Sequence, residues 1–318
     1  MPDNLNTDTW LVGAGVMAID YVKVLRALGR DFSIIGRGTA SAQTMKEQTG
    51  EEVVTGGLEA ALSSGKIPIY AIVATGVEQL ATVTTQLLEA GVKHLLVEKP
   101  AGFYDDVESI AKLAKQKGAT VLVAYNRRYY AAVQKAKEMI AADGGVVSFN
   151  FEFTEWAHTI EPLQKGAGVK EQWLLANSTH VIDLAFYLGG TPEKLSSFIA
   201  GSINWHPSAS IFSGAGVSVN GALFSYHANW QAPGRWVVEI LTQKHRYIFK
   251  PMEKLQIQKI ASVAVEEVPV DYTMDMEFKP GLFLQVKDFL ENTSSLLPTI
   301  EEHFKNLQHY RTINFGNR

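Results

Sequence analysis

The stretch Thr9-Trp10-Leu11-Val12-Gly13-Ala14-Gly15-Val16-Met17-Ala18 decides the fold. A short apolar strand runs into a glycine-rich turn, and a helix-like stretch, Val16 to Leu28, follows. This is the strand–turn–helix setting in which G-x-G-x-x-G/A receives a dinucleotide pyrophosphate. Gly13 allows the tight turn, Gly15 lets the backbone approach a phosphate, and Ala18 permits close helix packing. Val16 and Met17 open the helix, whose N-terminus offers free N–H groups and a positive dipole end.

The pattern repeats outward. Strands are expected at Phe32–Ile35, Ile69–Ala74, His94–Val97 and Thr120–Ala124, with helices at Ala40–Gln48, Gln79–Ala90 and Tyr104–Gln116. Short apolar strands alternating with helices indicate an α/β fold, a doubly wound parallel sheet of the Rossmann type. After Tyr125 the period changes. Val147, Phe149, Phe151 and Phe153 alternate with polar residues, the mark of a half-buried strand. Strand-like runs follow at Phe198–Ile203, Val217–His227, Val237–Thr242, Arg246–Phe249, Leu255–Ile260 and Val263–Val270, with little helix between them. They predict an open, mostly antiparallel sheet. Helices are expected near Ser178–Leu188, Leu282–Glu291 and Thr299–Arg311. Residues 1–125 thus read as a nucleotide-binding domain and 126–318 as a substrate-binding and oligomerisation domain.

Composition narrows the function. The 318 residues carry a net charge of −4 and no dense Lys/Arg block, which argues against nucleic acid as a partner. The absence of cysteine excludes disulfides, thiol catalysis and Cys-based zinc sites. No histidine pair has metal-ligand spacing, so no catalytic metal is expected. The polar N-terminus has no secretory h-region and no apolar run reaches the ~18 residues of a membrane span, so a cytoplasmic protein without membrane association is expected.

Four elements point to redox chemistry on a small molecule. The first is the glycine turn. The second is the end of the second strand, Gly36-Arg37-Gly38-Thr39-Ala40-Ser41, where an NAD-binding chain usually has an acid for the ribose 2′-hydroxyl. Arg37, with Thr39 and Ser41 beside it, suits a 2′-phosphate, so NADP is favoured over NAD. Thr75, at the end of the strand 69–74, is a further cofactor-binding candidate. The third is Glu98-Lys99-Pro100, which delivers a lysine to the carboxyl end of a strand, where ligands bind in such sheets. The proline keeps Lys99 out of the α region. Near a cationic nicotinamide its pKa should fall, which suits it to proton transfer. The fourth is the helix holding His180 and Asp183, three residues apart, with Asn177 or Ser178 as its cap. Asp183 is within reach to orient His180, a candidate general base. Asn126, Arg127 and Arg128 open the second domain. Glu155, Trp156 and His158 end the alternating strand, and Trp173 precedes the His180 helix. The turn Gln231–Trp236 offers Arg235 to a polar substrate. Structural roles compete for all of these.

Together these elements resemble the glucose–fructose oxidoreductase / inositol dehydrogenase / MocA (Gfo/Idh/MocA) family. The resemblance rests on Gly13–Ala18, Glu98-Lys99-Pro100, Asn126-Arg127-Arg128 and His180-x-x-Asp183, in that order. It implies NAD(P)-linked hydride transfer at a secondary hydroxyl or keto group of a sugar, cyclitol or sugar derivative. It also implies pairing of C-terminal sheets into homodimers or homotetramers. By the same resemblance Lys99 and His180 would be catalytic. Arg127, Asp183, Asn177, Trp156 and Arg235 would meet the polyhydroxylated substrate. Gly13, Gly15, Val16, Met17, Gly36, Arg37, Thr39, Thr75, Glu98, Lys99 and Asn126 would hold the cofactor. One position departs: the aspartate often found four residues before the histidine is Ala176 here. That leaves two alternatives open beside a dehydrogenase. One is a redox-neutral glycosidase or lyase with tightly bound cofactor, and the other a non-catalytic NAD(P)-sensing protein.

Overall fold

The computed structural model describes residues 7–291 and 295–317. The polar residues 1–6, part of the N-terminal reading above, lie outside them. The chain divides into two compact units: Met1–Asn126 with Met276–Phe304, and Arg127–Asp275 with Lys305–Arg318.

The first unit is built on β1 (Thr9–Val12), α1 (Val16–Ala27), β2 (Phe32–Ile35), α2 (Thr39–Thr49), β3 (Val53–Val54), α3 (Gly57–Leu62), β4 (Tyr70–Val73), α4 (Val77–Ala90), β5 (His94–Glu98), α5 (Asp106–Lys117) and β6 (Thr120–Ala124). The six strands form a parallel sheet in the order β3-β2-β1-β4-β5-β6. The interiors of its central strands are apolar, as expected of a parallel sheet buried on both faces. Leu11, Ile72, Leu95 and Leu96 are fully buried. The strand order reverses between β1 and β4, the place where open α/β sheets bind ligands. The two-residue β3 and the six-residue α3 are too short to register as periodic sequence.

The second unit begins with a 3₁₀ turn, Asn126–Tyr129, whose first residue still belongs to the first unit. It continues with α6 (Ala131–Ala142), β7 (Ser148–Glu152), α7 (Ala157–Ile160), a π turn (Leu174–Ser178), α8 (Thr179–Gly189), β8 (Pro192–Ala200), β9 (Ile211–Ser218), β10 (Leu223–Asn229), β11 (Val237–Leu241), β12 (His245–Phe249), β13 (Gln256–Lys259), β14 (Val265–Glu267) and α9 (Thr273–Glu277). Eight strands form one sheet in the order β14-β13-β12-β11-β7-β10-β9-β8. Every pair is antiparallel except β7 with β10. The alternation at 147–153 is explained by helix α8, which packs on one face: Phe149 and Phe151 meet Phe186 edge-on.

The run Val217–His227 is not one strand. It is the β9–β10 hairpin, closed by the Ser218 N–H···Ala222 O bond with Gly221 at φ +81°. Asn220-Gly221 is the local turn signal that the apolar run masks. The strand expected at Phe198–Ile203 likewise begins earlier, at Pro192, and ends at Ala200.

Two helices close the chain, α10 (Leu282–Glu291) and α11 (Ile300–Phe315). A single cut after residue 125 would put segment 276–304 with the second domain, but it packs with the first unit. Gln285 donates to the Tyr21 hydroxyl, and the Val123 N–H donates to Pro298 O. Among the described residues, no helix is long and apolar enough to cross a membrane.

Candidate active site

In the first unit a cavity of about 830 Å³ opens at the carboxyl ends of β1, β2 and β4. Gly13, Ala14, Gly15, Val16 and Met17 line it, with Gly36, Arg37, Gly38 and Ser41 after β2, and Thr75 and Gly76 after β4. The two turn glycines serve different ends. Gly13 has φ +129°, and a Cβ there would stand 2.3 Å from Ala74 O, so no other residue fits. At Gly15 a Cβ would meet nothing within 4 Å. Gly15 is also the N-cap of α1, with no side-chain cap and no acid in the first turn. Gly36 is required by packing, since a Cβ would meet Val53 Cγ1 at 2.8 Å. Glu59 lines the same cavity and accepts a bond from Gln86.

The parallel register carries this edge sideways. Val12 pairs with Val73, and Val73 with Val97. Two residues beyond the second pair the chain reaches Thr75 after β4 and Lys99 after β5, neighbouring strands of the sheet. The turn after Lys99 is fixed by the Ala101 N–H···Glu98 O bond and by His303 Nε2 against Pro100 O at 2.9 Å.

Two expected cofactor contacts, Glu98 and Asn126, have other partners, and a third, Thr39, lies outside the cavity lining. Glu98 accepts a 2.6 Å bond from the Tyr21 hydroxyl and is not part of the cavity lining. Burial pushes its carboxyl upward, against the pull of Tyr21, Lys99 and Lys279. The same burial, with Glu98 alongside, raises the Tyr21 phenol well above its usual range. The Asn126 amide donates to Pro280 O. Thr39 is the first residue of α2 and lies outside the lining, whereas Ser41 lies within it.

In the second unit the structure gathers residues that the sequence scatters. Glu155 is buried at the end of the β7 run. Its Oε1 accepts from Asn177 Nδ2 (2.9 Å) and Ser178 Oγ (2.8 Å), and its Oε2 faces Arg235 at 3.3 Å. Ser178 holds the N-cap position of α8, as expected, but its hydroxyl makes no cap hydrogen bond. Asn177 and Ser178 belong to a π turn that continues into α8, and their polar groups are spent on Glu155. The Arg235 guanidinium stacks on Trp156 and Trp236, each at 4.6 Å. Arg127 stacks on the same Trp236 at 5.0 Å, and the His180 ring lies 6.2 Å from it. Trp156 donates to Gly234 O. A Cβ at Gly234 would fall 2.2 Å from Glu152 Oε1, so a side chain there would displace that carboxylate. Arg127, Trp156, Asn177, His180 and Arg235 thus form one cluster. Its hub residues, Glu155 and Trp236, stand beside expected site residues in sequence, but nothing in the sequence marks them as hubs.

Asp183 does not fit a substrate contact. It is 2% exposed, and both oxygens are bound by Arg128, Nε to Oδ2 at 2.8 Å and a terminal nitrogen to Oδ1 at 2.6 Å. Burial opposes the Arg128 charge, but Asp183 holds the guanidinium pKa above its ordinary value. The three-residue spacing that suggests a His180–Asp183 partnership instead points Asp183 to the 3₁₀ turn. No cluster of three or more potential metal ligands occurs among the described residues.

The family model described as "Oxidoreductase family, NAD-binding Rossmann fold" (GFO_IDH_MocA) matches residues 8–125. Residues 8–125 are thus similar to the NAD-binding Rossmann domain of the Gfo/Idh/MocA oxidoreductases. No curated protein matches it in sequence. Solved structures share the fold over both units. A levoglucosan dehydrogenase in complex with NADH is 21% identical with a TM-score of 0.77, covering 96% of this chain and 95% of its own. A UDP-N-acetylglucosamine 3-dehydrogenase from Acidithiobacillus ferrooxidans is 15% identical with a TM-score of 0.73, covering 96% and 95%. An NAD-binding oxidoreductase from Klebsiella pneumoniae is 15% identical with a TM-score of 0.77, again covering 96% and 95%.

The residues of this Rossmann domain fit a dinucleotide. The Oγ1 of Thr75 is buried on the cavity wall without a hydrogen-bond partner among the described residues, which suits a ligand polar group. The open space over Gly15, at an uncapped helix N-terminus, suits a pyrophosphate.

Proposed function

We propose that the chain is an NADP-preferring oxidoreductase acting on a secondary hydroxyl or keto group of a polyhydroxylated small molecule, such as a sugar or cyclitol. The observation that carries this reading is the carboxyl edge of the first sheet, where the Gly13–Met17 cradle and Thr75 line one cavity and Lys99 follows the neighbouring strand β5. Gly13, Gly15, Val16, Met17 and Thr75 hold the dinucleotide, and Arg37 meets its 2′-phosphate. When bound, the nicotinamide supplies the hydride acceptor or donor. Lys99 polarises the reacting oxygen, and His180 takes or returns the hydroxyl proton. The sugar dehydrogenases among the structural neighbours support this substrate class.

Glu59 favours a second reading of the cofactor. If that carboxylate, rather than Arg37, meets the ribose, NAD is preferred. Titration of both dinucleotides against wild type and Arg37→Ala decides between them. An Arg–phosphate contact contributes about 1.5–3 kcal/mol, on the scale of hydrogen bonds to charged groups. The variant should therefore lose roughly 10- to 150-fold in NADP affinity, with NAD little changed. A wild-type preference for NAD, or equal weakening of both, overturns the NADP assignment.

The reading includes self-association through the second sheet. Phe198 and Leu223, on β8 and β10, are exposed large apolar side chains, which suits contact with a second copy of the chain. Light scattering coupled to gel filtration tests it, and a monomeric mass at micromolar concentration rejects it.

A further inference from the structure

The cluster around Trp236 holds more positive charge than it neutralises. Arg127 and Arg235 both stack on that one indole. The carboxylate that faces Arg235 is Glu155, and it is already shared, since its Oε1 serves Asn177 and Ser178. Arg127 has no carboxylate within ion-pairing distance among the described residues. Its Nε is buried and has no hydrogen-bond acceptor among them. Its guanidinium lies 5.8 Å from the Tyr130 ring and 5.0 Å from the Trp236 ring. Stacking holds a guanidinium plane in place but leaves its N–H fork unsatisfied, and that fork matches an oxyanion. A partly buried cation without a counter-ion is costly, so an anionic ligand gains from supplying one.

Arg235 adds a second donor group to the same patch. Its side chain is 43% exposed, and Trp156 and Trp236 both stack with its guanidinium. Glu155 sets its direction through one nitrogen, which leaves other N–H groups for a ligand. Both arginines are restrained before binding, so little ordering entropy remains to be lost. His180, in contact distance of the same indole, places the proposed acid/base beside this patch.

We propose that Arg127 and Arg235 form an oxyanion subsite, and that the substrate is a sugar or cyclitol derivative bearing a carboxylate or phosphate. The word substrate rests on the oxidoreductase reading above, whereas the subsite itself does not. Isothermal titration of the full-length protein with D-glucose, D-glucuronate and D-glucose 6-phosphate at one ionic strength tests it. At least one anionic sugar should bind at least ~10-fold tighter than glucose, the lower end for a charge-assisted contact. Preference for glucuronate assigns a carboxylate, and preference for glucose 6-phosphate a phosphate. Arg127→Gln should reduce that ratio to within about threefold, and Arg127→Lys should restore only part of it, because a point charge lacks the fork. Should Arg127→Gln fail to fold, Arg235→Gln, on a more exposed side chain, should reduce the ratio too. Equal affinities for all three sugars, or a ratio that survives both glutamine substitutions, overturn the subsite. The readout is binding, so a protein that binds no NADP can still pass. One that binds NADP but shows no anion preference fails on this point alone.

Discussion

Replacing Asp183 by Asn separates a structural carboxylate from one that touches substrate. The substitution keeps the shape, removes the charge and turns an N–H₂ group toward a donor. Arg128 is then left buried beside Tyr187, whose ring lies 4.6 Å from the guanidinium, with both former acceptors compromised. Removing one partner of a buried ion pair costs about 3–5 kcal/mol. For a domain of 150–250 residues each kcal/mol moves the melting midpoint by roughly 2–4 °C, so a drop of roughly 6–20 °C is expected. Differential scanning calorimetry should show the loss in the transition of the second unit, which holds both residues. Replacing both members, Arg128→Met with Asp183→Leu, should recover much of it, because no unpaired charge remains. A single Asn variant that melts within about 1 °C of wild type would refute this, since a buried two-bond pair cannot be lost so cheaply. A raised KM at unchanged stability would return Asp183 to the substrate.

The two turn glycines should respond differently. Gly15→Ala should keep the melting temperature but weaken dinucleotide binding by at least ~10-fold, seen by titration, because only a ligand occupies that space. Gly13→Ala should fold poorly, since its Cβ overlaps Ala74 O, and a normal thermal melt would contradict that. Lys99→Met should lower turnover by at least ~100-fold while dinucleotide binding weakens far less, and near-normal kcat would remove Lys99 from the mechanism. Burial holds the His206 and His309 imidazoles below their ordinary value. Between that lowered value and about 6.5 the unfolded chain binds more protons, so stability is full above about pH 6.5 and falls as pH drops. Urea midpoints from pH 8 to 5 should show this decline, and His206→Gln should flatten it. An unchanged slope in the variant would assign the decline to other groups.

Local chemistry made the first unit readable. Gly13, Gly29, Gly50, Gly91 and Gly118 adopt left-handed or otherwise positive φ at turns and helix ends, and the apolar runs between them are short enough to be strands. The cradle followed from spacing alone. The second site was legible as residues but not as an arrangement. Trp156, Asn177, His180 and Arg235 are each conspicuous, yet their meeting point depends on Glu155, whose partners Asn177, Ser178 and Arg235 lie 22, 23 and 80 residues away in sequence. No periodicity encodes a contact of that kind. Asp183 misled for the same reason: helical spacing puts it near His180, but Arg128, 55 residues earlier, takes both of its oxygens. The β9–β10 turn is hidden in the sequence although Asn220-Gly221 is a local signal, because apolar residues continue on both sides of it.

The return of segment 276–304 to the first unit bears on how the chain is made. Strand β6 is the last in its sheet, and its outer edge meets Thr299 and Pro298. A ribosome that has just completed β6 still has roughly 175 residues to add before that cover exists. At about 5–20 residues per second the bare edge persists for roughly 10–35 s. An uncovered strand edge is a template for pairing with a neighbouring chain. Nascent chains on one messenger are close together, so synthesis rather than the finished fold is where this protein is most exposed to aggregation. Chaperone capture should peak on chains longer than β6 and end once α11 has emerged.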